Sequence, residues 1–335
     1  MRTSAGSALI RTGIALLVAW AAAIAPARAA DAIFTNAASA IVQVKMTAGD
    51  ITIQTWDRPA VQIRGGLTIK PSRRIVPFAA PLAQVPILEG RISTAKFGPV
   101  VLAQETFVIN TIPAGPHDVI TVEGRGAVSL TIPQTTPLLV VIVNNRGLVT
   151  LRNYHGTLVT RVRAGRVRLQ NAGGVSFVQV LRGPITIVNS TFERLRARTG
   201  VGAIVLRRCD ARQIQVSSVG GSITYDDGTF QLGLAQFESQ AGNVALGVDG
   251  GADIAAHAGG QVYTLFHERA GVQNRGSDAA VTVGSGGPVV SATTSGGDVF
   301  LYDGALPSHA PLPPEWSALG TILKPPAGAA PPLTF

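Results

Sequence analysis

Cysteine is almost absent: Cys209 is the single one in 335 residues. No intrachain disulfide can form, so the fold must hold without covalent staples, and Cys209 is read as a packed thiol, not a nucleophile. Aromatic side chains are only 5% of the chain and charged ones 14%. Long helical periodicity is absent, which argues against helix bundles and coiled coils. After the first thirty residues there is also no uncharged apolar run approaching the roughly twenty residues that a bilayer span needs. What the chain does have is 38 glycines together with Val, Ile and Thr throughout, a composition that favours short strands and turns.

The first thirty residues concern delivery. Arg2 and Arg11 precede an apolar stretch from Ile14 to Ile24, and Ala27-Arg28-Ala29 supplies an A-x-A cleavage pattern, which together read as a secretory signal peptide. The expectation is an exported protein of the periplasm, cell surface or exterior, with no transmembrane segment after cleavage.

The strongest signal is a repeat. The phrase Gly-x-aliphatic-x-aliphatic begins at Gly49, Gly126, Gly147, Gly165, Gly183, Gly202, Gly221, Gly242, Gly260 and Gly297, and a glycine-less copy begins at Ala279. From Gly147 onward the steps are 18, 18, 19, 19, 21, 18, 19 and 18 residues, a regularity that marks stacked structural units. Two residues after each start the side chain is β-branched, as in Val149, Val167, Ile185, Ile204 and Ile223. Four residues after it the column is mostly aliphatic, with Thr264 its one clearly polar member. Period-two alternation means a strand. A second alternating segment precedes most of the glycines, for example TLVTRVRA before Gly165 and RQIQVSSV before Gly221.

One such unit cannot bury its inward side chains alone, but the next unit can cover them. The predicted fold class is therefore all-β, a single-stranded right-handed parallel β-helix (β-solenoid) with roughly 19-residue coils. The hand follows the general preference of parallel crossovers. Asn153, Asn171 and Asn189 fall six residues after their glycines and are expected to stack as an asparagine ladder in left-handed bends. The division along the chain is 1–30 signal peptide, 31–125 N-terminal β region with an irregular Pro-rich insertion, 126–304 regular coils, and 305–335 Pro-rich tail or cap.

Residues 33 to 62, IFTNAASAIVQVKMTAGDITIQTWDRPAVQ, carry a G-x-I-x-I-x-x-W-D phrase, and the later stretch VSLTIPQTTPLLVVIVNNRGLVTLRNYHGTLVTRVRAGRVRLQNAGG adds a strand ending at Ile132-Pro133 and serial Gly-x-Val-x-Leu units, features shared with a known group of chains. On these features the sequence resembles the putative-adhesin family of bacterial exported β-strand-repeat proteins. The resemblance covers most of residues 33 to 304. It implies a β-solenoid outside the cytoplasm and an adhesin-like or envelope-associated role, and it carries over no catalytic residue. The stretch from Arg58 to Arg125 departs from the pattern.

Charge is unevenly placed. Residues 146–212 hold thirteen arginines and no lysine against Glu193 and Asp210, a net +11, whereas residues 213–304 hold nine acids against Arg269 and Arg275, a net −7. In a stacked fold these become a basic half and an acidic half, a field able to steer an anionic partner. Alternation sends Arg166 and Arg168 outward, and Arg161, Arg163, Arg196 and Arg198 are expected to join them. Planar guanidinium groups suit carboxylate, sulfate and phosphate. Anionic polysaccharide or lipopolysaccharide is the expected partner, with head-to-tail self-association as the other reading. Nucleic acid is not expected, because the basic half lacks interleaved aromatic residues.

No catalytic site, metal site or cofactor is predicted. Parallel β-helices do include polysaccharide lyases and glycosidases, so that reading is the alternative. It would need grouped carboxylates, but the adjacent pair Asp226 and Asp227 aligns with Arg207 and Arg208 of the preceding unit, where an Arg208–Asp227 ion pair is expected. Asp249, Asp253 and Glu268 are loose candidates only. His117, His155, His257, His267 and His309 lack metal-ligand spacing.

Overall fold

The computed structural model describes residues 32–304 apart from 66, 77–84, 87–90, 95–97, 102–105, 108–114, 232, 267–269 and 275. The signal segment, the tail from 305 and much of the Pro-rich insertion lie outside the described residues, as do His267, Glu268 and His309. Among the described residues the chain is all-β, and 21 strands join one large sheet whose pairings are mostly parallel. No helix among them is long and apolar enough to cross a membrane.

The two strand segments of each repeat build two files. In the first, residues 119–124, 41–46, 139–143, 157–162, 175–180, 194–199, 213–218, 234–239, 289–294 and 253–258 lie side by side in parallel. In the second, residues 128–133, 51–56, 149–152, 167–170, 185–188, 204–207, 223–226, 244–248, 299–303 and 262–265 do the same. The predicted file of inward side chains is present. Val167 pairs with Ile185, Ile185 with Ile204 and Ile204 with Ile223, and all four are fully buried. Inward residues of both files belong to one cluster, so each rung is covered by its neighbours and the core runs along the stack. A buried Val or Ile in such a column contributes at most about 1.5–3 kcal/mol.

The bend after the second file is held by left-handed residues. Asn153, Asn171 and Asn189 have φ of 61, 49 and 52°, and Asn171 Nδ2 donates to Asn153 Oδ1 at 2.8 Å. Arg208 and Asp227 continue this column at 50 and 54° although neither is asparagine. Beyond the bend Ser190, Thr191 and Phe192 pair in parallel with Cys209, Asp210 and Ala211. Tyr225 Oη, buried here, lies 2.6 Å from Cys209 O and 3.0 Å from Thr229 O, so one hydroxyl serves two carbonyls.

Chain order and spatial order part at both ends, which serial stacking does not anticipate. Residues 41–56, first in sequence, lie between the rungs of 119–133 and 138–152. Residues 289–303, last in the stack's sequence, lie between those of 234–248 and 253–265. The repeat glycines report the same order independently. A Cβ on Gly49 would sit 1.9 Å from Gly126 O, and one on Gly147 would sit 2.1 Å from Gly49 O.

The copy read at Ala279 is not a repeat unit. Asp278–Val283 runs antiparallel to Ala252–Ala258 in the first file, and Ala270–Asn274 pairs antiparallel to it in turn. At the opposite end Thr68–Val76 runs antiparallel to Gly115–Gly124, and Ala60–Arg64 to Val128–Pro133. A parallel stack otherwise ends in a bare edge that invites pairing with another chain. Reversed strands cover both files at the first end of this one and the first file at the other.

Candidate anion-binding surface

The predicted arginines do not come together on one surface. In the second file the inward side chains are Val167 and Leu169, so Arg166 and Arg168 point out and are exposed. Arg168 stands between Thr150 of one rung and Thr186 of the next, and Arg166 stands opposite Leu148. No described residue forms an ion pair with either. Arg163 is exposed on the bend between the two files, where the pairing with Leu138–Arg152 shifts register.

Arg196 and Arg198 lie on the outer side of the first file, flanking inward Ala197, and are half-buried. Arg194, which the sequence reading did not single out, shares that side. Across the next rung these three face Gln213, Gln215 and Ser217, and Arg194 Nε donates to Gln213 Oε1 at 3.0 Å. Gln215 Nε2 passes the row on to Gln236 Oε1 at 3.3 Å. A groove lined by Glu193, Arg194, Arg212 and Gln213 opens at its edge.

Arg161 corrects the expectation of a solvated outward guanidinium. It points to the outer side of the first file, in the row of Ile142 and Gln179, but is only 5% exposed. Its Nε and Nη2 make no hydrogen bond. Desolvation pushes its pKa down to about 10, which still leaves it charged at neutral pH. The cause is local composition. Outward residues Ile41, Val119, Leu138, Val140, Val159, Val175 and Phe177 form a second apolar cluster around it. Alternation gives a side chain's direction, but says nothing of what overlies it.

The basic rungs lie mid-stack. The rungs of 41–56 and 119–133 flank them on one side and the acidic rungs of 213–303 on the other, so the expected basic half is a basic belt.

Asp226, Asp210 and Asp253 are each engaged with a structural partner. Asp226 Oδ2 lies 3.8 Å from Arg207 Nε, and Asp226 Oδ1 accepts from Tyr302 Oη at 3.3 Å. The ion pair thus forms one position before the expected Arg208–Asp227, because Arg207 and Asp226 are still in paired strand while the next residue of each turns through the left-handed bend. Asp210 accepts from Thr229 Oγ1 at 2.6 Å, and Asp253 from Thr282 Oγ1 at 3.0 Å. Asp249 is exposed at a turn. Among the described residues no three His, Cys, Asp or Glu side chains are grouped to hold a metal ion. His117 Nδ1 lies 3.0 Å from Ser39 O, and His257 Nδ1 lies 2.8 Å from Asp278 Oδ1. Cys209 is buried, with Sγ 3.3 Å from Arg207 O, and desolvation pushes its thiol up to about 12. A thiol held protonated and out of solvent is a packing element.

Aromatic residues on the outer side of the second file were also missed. Phe300 and Tyr302 alternate with inward Val299 and Leu301, and Tyr263 stacks on Phe300 with ring centroids 5.1 Å apart. The signal was available: an aromatic residue occupies a column that elsewhere holds Thr52, Thr150, Thr186 and Thr224.

No protein-family model and no curated protein matches the chain. Among solved structures it is similar to one described as a "putative cell adhesion protein" from Clostridium sporogenes ATCC 15579, at 8% identity and a TM-score of 0.21, over 82% of this chain and 100% of that one. A likeness of that degree carries no argument about fold or role, which rest on the residues above.

Proposed function

We propose that the chain forms a right-handed parallel β-solenoid of roughly 19-residue coils. It is exported to the periplasm, cell surface or exterior and works without turnover as an adhesin-like or envelope-associated module. Its exposed arginines bind anionic glycan. The observation that carries the reading is the presentation of Arg166 and Arg168, unpaired by any described acid, on a regular parallel face beside Thr150 and Thr186. Rungs recur at about 4.8 Å and like-facing residues at about 6.8 Å along a strand, a grid of donors suited to a polymer with repeated carboxylates or sulfates. The hand rests on the general rule for parallel crossovers. Absence of turnover is favoured because Asp210, Asp226 and Asp253 are each committed to a structural partner.

Heparin affinity chromatography of the mature chain tests the binding. Retention is expected to fall as salt rises, and the Arg166→Ser/Arg168→Ser variant is expected to elute at lower salt. Retention that is absent, indifferent to salt or unchanged in the variant overturns it. A reducing-sugar assay on acidic polysaccharides is expected to show no release. Release would favour the lyase or glycosidase reading.

A further inference from the structure

The acidic end leaves one strand edge open. The first file is finished there by Asp278–Val283 and Ala270–Asn274, whereas the second ends at Val262–Leu265, which pairs among the described residues only with Val299–Asp303. Val262 donates its N–H away from that partner, to Gly276 O at 3.0 Å. Alternation along a strand turns the N–H and C=O of Thr264 the same way, and no described strand lies opposite them. The side chain of Thr264 belongs to the inward column that other rungs fill with apolar residues, and here that column meets solvent: Tyr263, Thr264, Leu265 and Phe266 are only half-buried. A polar member marks the rung that no further rung of the chain covers.

The first end offers a matching edge on the same file. Ala60–Arg64 runs antiparallel to Val128–Pro133, and Ala32–Thr35 runs antiparallel to Ala60–Arg64. Two reversals restore the sense of the file, so Ala32–Thr35 has the same direction as Val262–Leu265. Its outer edge has no described partner. Ile33 is 61% exposed there, while Phe34 is packed inward against the core. The outlines also fit. Among the described strands the second file projects one strand beyond the first file at this end. At the acidic end it stops two strands short of the first file, a recess of about 10 Å. Charge selects between ways of joining the ends. Residues 60–76 contain Arg64, Lys70, Arg73 and Arg74 and no acid, whereas residues 249–303 hold six acids against Arg269 and Arg275. Unlike ends attract, and two acidic ends repel.

We propose that the occupant of the open edge is a second copy of this chain, joined head to tail: Val262–Leu265 of one copy adds in parallel to Ala32–Thr35 of the next, and Phe34 closes the column that Thr264 leaves open. This is strand addition at a sheet edge. The interface is heterologous and leaves one edge free at each end of the assembly, so it grows as an open filament. Four-residue edges make each contact small, and the opposed charges make it weaken as salt rises.

Sedimentation velocity of the mature chain over a wide range of concentration tests this. The parent is expected to form species beyond the dimer as concentration rises and to return to monomer in high salt. Thr264→Pro removes the outward N–H at the acidic edge, and Ile33→Glu/Thr35→Glu sets like charge against that end from exposed positions. Each variant alone is expected to stay monomeric where the parent assembles. Mixed, they are expected to form a heterodimer and stop, since one retains an intact first edge and the other an intact acidic edge. A parent that is monomeric at every concentration overturns the proposal, whether the edge is then closed by the same chain or by a different protein. A parent that stops at the dimer, a variant that pairs with itself or a mixture that stays monomeric also overturns it, because each contradicts unlike ends. Should Thr264→Pro lose strand signal in circular dichroism, Leu265→Lys, which blunts the same edge from a half-buried outward side chain, replaces it. Undiminished self-association of that variant overturns the proposal.

Discussion

Replacing Gly183 with alanine should damage the protein far more than the same replacement at Gly126, although both open the same Gly-x-β-x-aliphatic phrase. Both have a positive φ, 135° at Gly183 and 108° at Gly126, so each variant carries backbone strain of about 1–3 kcal/mol. They differ in what lies beside them. A Cβ on Gly183 would stand 1.6 Å from Gly165 O, whereas one on Gly126, at the end of the glycine column, meets nothing within 4 Å. Relieving a 1.6 Å contact to van der Waals distance means parting two rungs by nearly 2 Å, and ladder bonds cannot stretch that far. Those at stake join residues 167–171 to residues 184–188, among them Val167 N to Pro184 O and Asn171 N to Val188 O, both at 3.1 Å. Breaking two of them and leaving buried backbone groups unpaired costs roughly 3–5 kcal/mol more.

The expected penalties are therefore about 1–3 kcal/mol for Gly126→Ala and about 4–8 kcal/mol for Gly183→Ala. A stacked repeat need not unfold in one step. Denaturant titration followed by circular dichroism should therefore be joined to native-state hydrogen exchange at Val167, Ile185 and Ile204. Faster exchange at those amides in Gly183→Ala, with little change there in Gly126→Ala, is the expected pattern. Equal penalties at the two sites would refute close approach of successive glycines, and the stacking order deduced from it.

Two further substitutions probe the bend. Arg208 holds φ 50° in a column whose earlier members are asparagines, so Arg208→Asn should stabilise by about 0.5–1 kcal/mol, read as a higher denaturation midpoint with unchanged slope. Tyr225→Phe strips Cys209 O and Thr229 O of their shared donor in a buried place. It should destabilise by about 1–3 kcal/mol, with exchange quickening first among residues 209–230.

How much of this was legible follows from what each signal encodes. Glycine at a fixed phase, β-branched residues two positions on and asparagine at the bend are local demands of every rung, so Val167, Ile185, Ile204, Ile223 and the asparagine ladder could be located by counting. The counting also aligned Arg207 with Asp226 and Arg208 with Asp227, and went wrong only over which pair would bond, a matter of backbone conformation at the bend. Arg161 misled for a different reason. TLVTRV is apolar on both of its alternating faces, Leu158 and Val162 inward and Val159 outward, the mark of a strand buried on both sides. Its arginine had no claim to solvent. At Ala279 the missing glycine was itself the warning: a strand that ends a stack antiparallel has no rung to approach closely.

The order of rungs at the ends lay beyond any local reading, since every rung offers its neighbours the same inward column and the same glycine. What distinguishes them is the problem of finishing. A serial stack would leave its first and last chain segments at the rims, where they pair on one side only. Here residues 41–56 and 289–303 are each paired on both sides, and the rim positions go to 119–133 and 253–265; antiparallel strands then cover 119–124 and 129–131 at one end and 252–257 at the other. The contacts that achieve this are distant in sequence, about four rungs apart at the first end, while those from Gly147 to Val248 join adjacent repeats. Loop closure makes the distant pairings slow to form, so the central rungs are the natural first structure and the ends close upon them. Removing residues 41–56 would accordingly do more than shorten the stack by one unit: it would leave a gap between two rungs that, among the described residues, pair through that segment and not with each other.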